Sequence, residues 1–336
     1  MIMEPLRIVA IGGGTGLSSL LYGLKRYARE PQEVEITAVV TVTDDGGSSG
    51  RLRRDFDVLP PGDIRNCMVA LSEDEALLSK LFQYRFSAGR GLKGHSFGNL
   101  FLTAITSLTG DFAQAVKLSS EVLASLGRIY PSTAANVVLE AELENGRVVR
   151  GETKISKSRS PIRQICLAPR KCKPLPETLE AIERADLITF GPGSLFTSII
   201  PNVLVQGIPA AVRRSRALKA CFVNLMWQPG ETVGFQASDH ISAIHRHAGT
   251  HLLDVAVVNT RAISARQKRK YAAKKMQSVV NDVDRLEKMG LQVVAGDMLA
   301  DGEVVRHDSK ATAEIALELA RRGRASRSKI RVLGLK

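Results

Sequence analysis

Short apolar runs recur along the chain, and glycine or polar residues bound each of them. Runs of this length and continuity are typical of strands buried on both faces, as in a parallel sheet. Segments with apolar residues at helical spacing separate the runs, and this alternation predicts an α/β fold. We expect a Rossmann-like, doubly wound, mostly parallel sheet with helices on both faces. The predicted strands are RIVAI (7–11), EITAVVTV (35–42), DLITF (186–190), ACFVNL (220–225), DVAVVN (254–259) and LQVVAG (291–296).

One segment instead alternates apolar and polar residues with the two-residue period of a strand that has one exposed face. NVVLEAELENGRVVRGETKI has two such runs around Asn145-Gly146, a dipeptide that favours a β-hairpin turn. We therefore expect a small β-hairpin insertion at about 136–168, within a single nucleotide-binding domain that spans 1–320. The last sixteen residues contain seven Lys or Arg and no acid. They have no apolar period, so 321–336 is predicted to be a basic, disordered tail.

Net charge, the length of the apolar runs and the placement of cysteines indicate which partners and which location to expect. The net charge of +13 raises the question of nucleic acid. Much of it lies in the tail and in RQKRKYAAKKM (266–276), and neither run interleaves aromatics as a base-reading surface does, so nucleic acid is not an expected partner. No apolar run is long enough for a membrane span, no secretion signal precedes the first glycines, and the four cysteines are scattered. We expect a cytoplasmic protein with no membrane partner that forms a homo-oligomer, a dimer.

The first predicted strand ends in a glycine-rich turn, GGGTG at 12–16, and a helix follows it. A backbone without side chains can approach phosphate closely, and a helix N-terminus favours negative charge. The turn does not match the dinucleotide fingerprint, because Leu17 stands where its third glycine would be, nor the Walker A loop, which needs a lysine. It is either a phosphate-binding loop or a tight turn without a ligand.

Two adjacent carboxylates, Asp44 and Asp45, follow the second predicted strand. Ligands of an open α/β sheet bind beyond the carboxyl ends of its strands, which is where this pair lies. Adjacent carboxylates need solvent, a partner or a cation. They are therefore candidate Mg²⁺ ligands and candidate catalytic residues, unless the segment is an acidic surface turn. The serines and Arg51 that follow them can donate to a phosphate.

Three further polar segments, PPGDIRN (60–66), GLKGHSFGN (91–99) and GPGS (191–194), precede predicted helices. His95 is suited to contact a phosphate, to act as an acid or simply to pack in a loop, and it is the third candidate catalytic residue. Ser194 begins either an anion-binding turn or an ordinary capped helix. The ligand-binding residues predicted from all these segments are Gly12, Gly13, Gly14, Thr15, Gly16, Ser48, Ser49, Arg51, Asp63, Asn66, Lys93, His95, Ser96, Asn99, Gly191, Gly193 and Ser194.

Several of these motifs, in this order, resemble the gluconeogenesis factor family of the YvcK type, which is related to the CofD enzyme 2-phospho-L-lactate transferase. The resemblance covers about 6–320. It implies that 12–16 is the nucleotide loop. It also implies that the Asp44-Asp45 pair corresponds to the acidic motif that lies by the metal and the acceptor in the transferase. It adds Tyr271 and Arg306 as residues that hold a UDP-sugar. The motifs are GGGTGLSSLLYGLK, VTVTDDGGSSGRLR, PPGDIRN, GHSFGNL, GPGSLFTSIIPN and QPGETVGFQASDH.

The resemblance implies two possible functions. The first is a cytoplasmic protein that binds a UDP-sugar, such as UDP-N-acetylglucosamine or UDP-glucose, and regulates carbon metabolism, cell-wall precursor supply and cell shape. The second is a Mg²⁺-dependent transferase, similar to 2-phospho-L-lactate transferase, that acts on a nucleotide-linked donor. Only 5% of residues are aromatic, which leaves no evident wall for a deazaflavin acceptor and favours the first. Trp227 stands where the family resemblance suggests a small polar residue. An NAD-dependent oxidoreductase is disfavoured by the broken fingerprint.

Overall fold

The computed structural model describes residues 4–29, 31–73 and 77–332, with side chains as far as residue 327. The strands in these residues are β1 (Leu6–Gly12), β2 (Val34–Val40), β3 (Arg128–Pro131), β4 (Val138–Leu143), β5 (Val148–Arg150), β6 (Ile162–Ala168), β7 (Leu187–Phe190), β8 (Leu218–Phe222), β9 (Val255–Asn259) and β10 (Gln292–Gly296). The helices are α1 (Gly14–Leu24), α2 (Gly47–Phe56), α3 (Gly62–Leu71), α4 (Leu77–Gln83), α5 (Phe97–Thr109), α6 (Phe112–Val122), α7 (Glu152–Ile155), α8 (Pro176–Arg184), α9 (Ile200–Val203), α10 (Ile208–Arg214), α11 (Ala237–Ala248), α12 (Ala265–Ala272), α13 (Val283–Lys288) and α14 (Ser309–Val332). A 3₁₀ turn (Lys25–Tyr27) and a π-helical turn (Leu195–Ile199) complete them.

Seven parallel strands form the main sheet, in the order β10-β9-β8-β7-β1-β2-β3. Ile8 of β1 pairs with Ile36 of β2 on one side and with Leu187 of β7 on the other. Every residue of β7 is buried, so both faces of the sheet are covered. The chain moves outward from β1 through β2 to β3, and outward the other way from β7 to β10. This doubly wound order confirms the predicted fold class and places a topological switch point between β1 and β7.

The six predicted strands all belong to this sheet, but β3 was not predicted. It is a four-residue strand at the sheet edge, and two of its residues, Arg128 and Tyr130, are not buried. An edge strand that short has too few buried positions to produce a continuous apolar run.

A second, three-stranded antiparallel sheet has the order β5-β4-β6. The turn at Asn145-Gly146 joins β4 to β5, so the predicted hairpin is confirmed, and β6 adds a third strand. The sheet is tied to the main body by His247 of α11, whose Nε2 accepts a hydrogen bond from the Ile165 backbone N–H at 3.1 Å. His247 Nδ1 donates to the Ala243 carbonyl at 2.7 Å, which leaves Nε2 free to accept.

The segment after β7 is mostly apolar, and every residue of Leu195–Val203 is buried. No single helix in the described part of the chain has the length and apolar character of a membrane span. Leu195–Val203 and Ile208–Arg214 meet that criterion only as a pair, and they are bent by 76° relative to each other.

The expectation of a disordered tail from residue 321 is wrong for the residues that the structure describes, because α14 continues to Val332; 333–336 lie outside them. The cause is an ion pair rather than apolar burial. The Asp186 carboxylate, only 2% exposed, accepts from Arg324 Nη2 at 2.5 Å and from the Arg7 backbone N–H at 2.8 Å. Arg327 lies 3.7 Å from the same carboxylate. Contacts between charged side chains produce no apolar period in the sequence, so the pattern of apolar residues does not predict them.

We expect Arg324→Ala to destabilise the fold by roughly 3 kcal/mol, because the buried Asp186 carboxylate loses its nearest cation and keeps, among the described residues, only the Arg7 N–H and the more distant Arg327. At about 2–4 °C per kcal/mol for a chain of this size, the loss is measurable by thermal melting. Arg321→Ala is the matched control. Arg321 is 55% exposed and pairs with Glu33 at 3.7 Å, so its loss should cost less than about 1 kcal/mol. Equal melting temperatures for the two variants would contradict the docking of the tail.

Candidate functional site

Two glycine-rich turns meet at the switch point, one after β1 and one after β7. Gly16 makes their contact possible, because a Cβ there would lie 2.5 Å from the Pro192 carbonyl oxygen. Gly14 has a φ of +64°, and a Cβ there would have only Ser198 Oγ within 4 Å, at 3.8 Å. Its backbone therefore borders open space, which is a cavity of about 1130 Å³. The turn presents uncovered backbone and the N-terminus of α1 to this cavity, the arrangement that binds phosphate.

The glycine turn is held from behind by two polar side chains. Asp63 accepts a hydrogen bond from the Gly14 backbone. Burial, and then the charge of Asp44, raises the pKa of Asp63 to about 6. Asn202, fully buried, donates from Nδ2 to the Gly12 carbonyl at 3.2 Å and to the Ser198 carbonyl at 2.7 Å. These contacts fix the turn in a shape that does not depend on a ligand.

One wall of the cavity is a chain of amide and hydroxyl groups. Gln228 Nε2 donates to Ser194 Oγ at 2.7 Å, and Asn224 Nδ2 donates to Gln228 Oε1 at 3.2 Å. Ser194 stands at the N-cap position of the π-helical turn, but its side chain makes no cap hydrogen bond. Its hydroxyl hydrogen is therefore available to a ligand in the cavity.

The neighbouring wall is apolar and aromatic, with Met226, Trp227, Tyr271, Met276 and Val305. Tyr271 Oη accepts from the Val305 backbone N–H at 3.0 Å, which brings α12 against the segment that contains Arg306. The Trp227 indole N–H donates to the Phe235 carbonyl at 2.9 Å. The tryptophan and tyrosine are thus fixed by hydrogen bonds, and a flat, partly polar ring would pack well against this wall.

Basic side chains also line the cavity: Lys25, Arg65, Lys80, Arg85 and Arg306. Of these, only Arg306 was among the predicted ligand residues. The sequence of α1 and the 3₁₀ turn after it holds a signal for the cavity, because the side chains that line it recur there at helical spacing: Thr15, Ser18, Ser19, Tyr22 and Lys25. Arg65 lies in the PPGDIRN motif, beside the predicted Asn66.

The structure divides the predicted ligand residues into two groups. Those on the cavity wall are Gly13, Gly14, Thr15, Gly16, Asn66, Gly193, Ser194, Tyr271 and Arg306. Those behind or beside it are Gly12, Ser48, Ser49, Arg51, Asp63, Lys93, His95, Ser96, Asn99 and Gly191. The second group includes Arg51 and Lys93, which contact each other through a hydrogen bond from Arg51 Nη2 to the Lys93 carbonyl at 2.9 Å.

Five residues of the second group, Ser48, Ser49, His95, Ser96 and Asn99, form a buried polar network between the starts of α2 and α5. His95 Nδ1 and Ser48 Oγ are 3.0 Å apart, and Asn99 Nδ2 donates to Ser49 Oγ at 3.4 Å. Burial, and then the charge of Arg51, lowers the pKa of His95, so its ring is neutral at pH 7. These contacts agree with the interpretation of His95 as a residue that packs in its loop.

The two adjacent carboxylates have different partners. Asp44 Oδ1 accepts from the Gly46 backbone N–H at 2.8 Å. Asp45 Oδ1 accepts from the Thr153 backbone N–H at 2.8 Å and from Thr153 Oγ1 at 2.6 Å, which ties the loop after β2 to α7. No group of three or more His, Cys, Asp or Glu side chains in the described ranges is arranged to hold a metal ion. The assignment of Asp44 and Asp45 as Mg²⁺ ligands stays a prediction, and we derive no step through a metal.

Comparison with known proteins gives concordant results. The family model of 2-phospho-L-lactate transferase CofD matches residues 8–299. A gluconeogenesis factor from Halalkalibacterium halodurans is 47% identical over 317 residues, which cover 94% of this chain and 97% of that protein. A gluconeogenesis factor from Bacillus subtilis is 46% identical over 314 residues, which cover 93% and 98%. A crystal structure of a UPF0052 family member from Bacillus halodurans superposes with a TM-score of 0.90 at 46% identity, covering 94% of this chain and all (100%) of the other.

The matches extend from β1 to the last strands of the main sheet and include both glycine turns of the cavity. On this evidence the chain belongs to the CofD-like family of gluconeogenesis factors.

Proposed function

We propose that the protein binds a UDP-sugar in the cavity at the switch point and acts as a cytoplasmic regulator of carbon metabolism, cell-wall precursor supply and cell shape. The observation that carries the proposal is the open backbone of Gly14 at the start of α1, between a polar wall and an aromatic wall. The name gluconeogenesis factor, given to the relatives, supports the role in carbon metabolism. The four cysteines are free thiols, in keeping with a reducing compartment. A dimer remains the expected assembly.

The walls of the cavity suit the three parts of a UDP-sugar. The diphosphate would lie over Gly14, where backbone N–H groups and the helix dipole favour negative charge. The uracil ring would pack on Trp227 and Tyr271. Ser194 and Asn66 would bind sugar hydroxyls, because both can donate and accept hydrogen bonds. Tyr271 and Arg306, the two residues added by the family resemblance, lie on this same cavity wall.

We expect a metal to be unnecessary for this binding, because protonation of a carboxylate can reduce the total negative charge of the acidic residues near the glycine turn. Burial raises the pKa of Glu152 to about 9, with further contributions from the charges of Asp44, Asp63 and Glu231. Glu152 therefore keeps its proton at pH 7. The proton relieves the mutual repulsion of these carboxylates without a cation.

The first prediction concerns the glycine turn. Gly14→Ala should weaken binding of UDP-N-acetylglucosamine at least about tenfold, because the methyl group enters the space above the turn where the phosphate approaches. Calorimetry with UDP-N-acetylglucosamine, UDP-glucose, GDP and NAD measures both the loss and the ligand preference. Gly110→Ala is the matched control. Gly110 also has a positive φ, +68°, with nothing within 4 Å of a Cβ, but it ends α5 away from the cavity. If a folded Gly14→Ala variant binds with unchanged affinity, the glycine turn does not bind the diphosphate.

The second prediction separates a binding protein from a transferase. UDP-N-acetylglucosamine should bind in EDTA with less than about a twofold loss of affinity, and should remain intact after long incubation with Mg²⁺. Calorimetry and chromatography of the nucleotide measure the two outcomes. The opposite result would be Mg²⁺-dependent consumption of a nucleotide-linked substrate that disappears in Asp45→Asn. That result would make the protein an enzyme.

The third prediction concerns pH. Because the pKa of Glu152 is about 9 in the folded protein and 4.5 in its ordinary state, the folded protein binds more protons than the unfolded chain between these values. The free energy of unfolding therefore falls as pH rises through this window. Glu152→Gln should remove that loss and raise the melting temperature at pH 8 by several degrees, with little change at pH 5.

Melting curves at both pH values in EDTA check this expectation. Glu144→Gln, an exposed carboxylate at the tip of the small sheet, is the matched control and should change neither curve. If Glu152→Gln melts at the wild-type temperature at pH 8, the carboxyl is charged in the folded protein and the argument for a metal-free cluster fails.

A further inference from the structure

The cavity is larger than one small ligand needs. Its volume of about 1130 Å³ exceeds the ~300–1,000 Å³ typical of sites for a single small molecule. It also extends well beyond the glycine turn, since its wall includes Thr15 and Lys25 at the two ends of the first helical segment. Ten residues separate them, which is about 15 Å at the rise of a helix. The cavity therefore has room for a second ligand at the Lys25 end.

The contacts of α1 and α3 show which residues surround that far end. Asp63, at the start of α3, contacts Gly14 at the start of α1. Lys25 Nζ, after the end of α1, donates to the carbonyl of Ser72, after the end of α3, at 3.1 Å. The two helices thus run side by side in the same direction. Ser72 Oγ lies 2.8 Å from Ser79 Oγ, which brings α4 to the far end and places Lys80, beside Ser79, at this part of the cavity wall.

Three basic side chains line the cavity along α3 and α4. Arg65 of α3, Lys80 of α4 and Arg85, just after α4, all line it. The partners of the Arg65 guanidinium in the described residues are neutral: Ser96 Oγ at 2.7 Å and Asn66 Oδ1 at 2.5 Å. Its Nε is buried and has no partner there. Burial, and then the positive charge of Arg85, lowers the pKa of Arg65, while the charges of Asp63 and Asp44 act in the opposite direction.

Arg85 is held in place by its own backbone as well as by its side chain. Its segment pairs with Ser96 in an antiparallel bridge, and Arg85 Nη1 donates to the Gly94 carbonyl at 2.6 Å. The same Ser96 accepts from Arg65. The two guanidinium groups are therefore positioned by one loop, and an anion bound between them would offset their mutual repulsion.

We propose that Arg65, Lys80 and Arg85 form a second anion subsite in the cavity, which binds a small phosphate monoester beside the nucleotide-sugar. Guanidinium groups bind phosphate oxygens in a bidentate manner, and a lysine adds a point charge, so together they suit a dianionic phosphate. The diphosphate at Gly14 has a separate set of backbone donors. The subsite adds a second ligand to the proposed function, and its charge argument does not depend on the identity of the first ligand.

The experiment titrates the full chain with glycerol 3-phosphate and inorganic phosphate by calorimetry, with and without saturating UDP-N-acetylglucosamine. We expect glycerol 3-phosphate to bind in both conditions, and succinate, a dicarboxylate, to bind much more weakly. Lys80→Gln/Arg85→Gln should weaken glycerol 3-phosphate binding at least about tenfold. Arg90→Gln is the matched control, because Arg90 lies in the same loop, is exposed and is not on the cavity wall. Thermal melting verifies that each variant is folded, and Lys80→Gln alone serves if the double variant is not.

Four results would overturn the subsite. They are no binding of either phosphate probe at millimolar concentration, equal binding of succinate, displacement of glycerol 3-phosphate by UDP-N-acetylglucosamine, and loss of UDP-N-acetylglucosamine binding in the double variant. The last would assign both side chains to the nucleotide-sugar instead. If UDP-N-acetylglucosamine does not bind but glycerol 3-phosphate binds and depends on Lys80 and Arg85, the proposed function fails and the subsite stands.

Discussion

The contact between the two glycine turns determines the rest of the site. β1 and β7 are neighbours in the sheet although about 180 residues separate them, so the turns that follow them emerge side by side. The backbone of Gly16 lies so close to the Pro192 carbonyl that a side chain would separate the turns. Because the turns are in contact, α1 and the π-helical turn start next to each other. The cavity lies beside these two starts.

Much of this arrangement can be read from the sequence because it depends on local patterns. The six long strands are continuous apolar runs, the hairpin is marked by Asn145-Gly146, and the glycine turn follows directly from its composition. What could not be predicted depends on distant contacts. The edge strand β3 has few buried residues, and the end of α14 docks through Arg324 and Asp186. Neither produces a periodic apolar signal.

The functional site likewise combines residues that local sequence patterns identify with residues whose position depends on distant contacts. Motif patterns identify Gly14 and Ser194, and the family resemblance adds Arg306; all three line the cavity. These patterns do not distinguish them from His95 or Asn99, which lie in equally distinctive segments but are buried behind the wall. Contacts between the starts of α2 and α5 place His95 and Asn99 behind the wall. The bridge between Arg85 and Ser96, which also accepts from Arg65, brings Arg85 to the cavity wall from a segment without a motif.

The docking of Arg324 has a consequence for how the chain folds during its synthesis. Arg324 donates to the carbonyl oxygens of Glu4 and Pro5, contacts that span 320 and 319 residues, and to the carboxylate of Asp186. β1 is translated before α14, so the contacts between its start and Arg324 are made only when α14 has been translated. Until then the Asp186 carboxylate lacks its arginine, at the base of the two central strands. β1 can pair with β2 and β7 before that point, so the contacts of Arg324 close the base of the sheet as a late step in the formation of the fold.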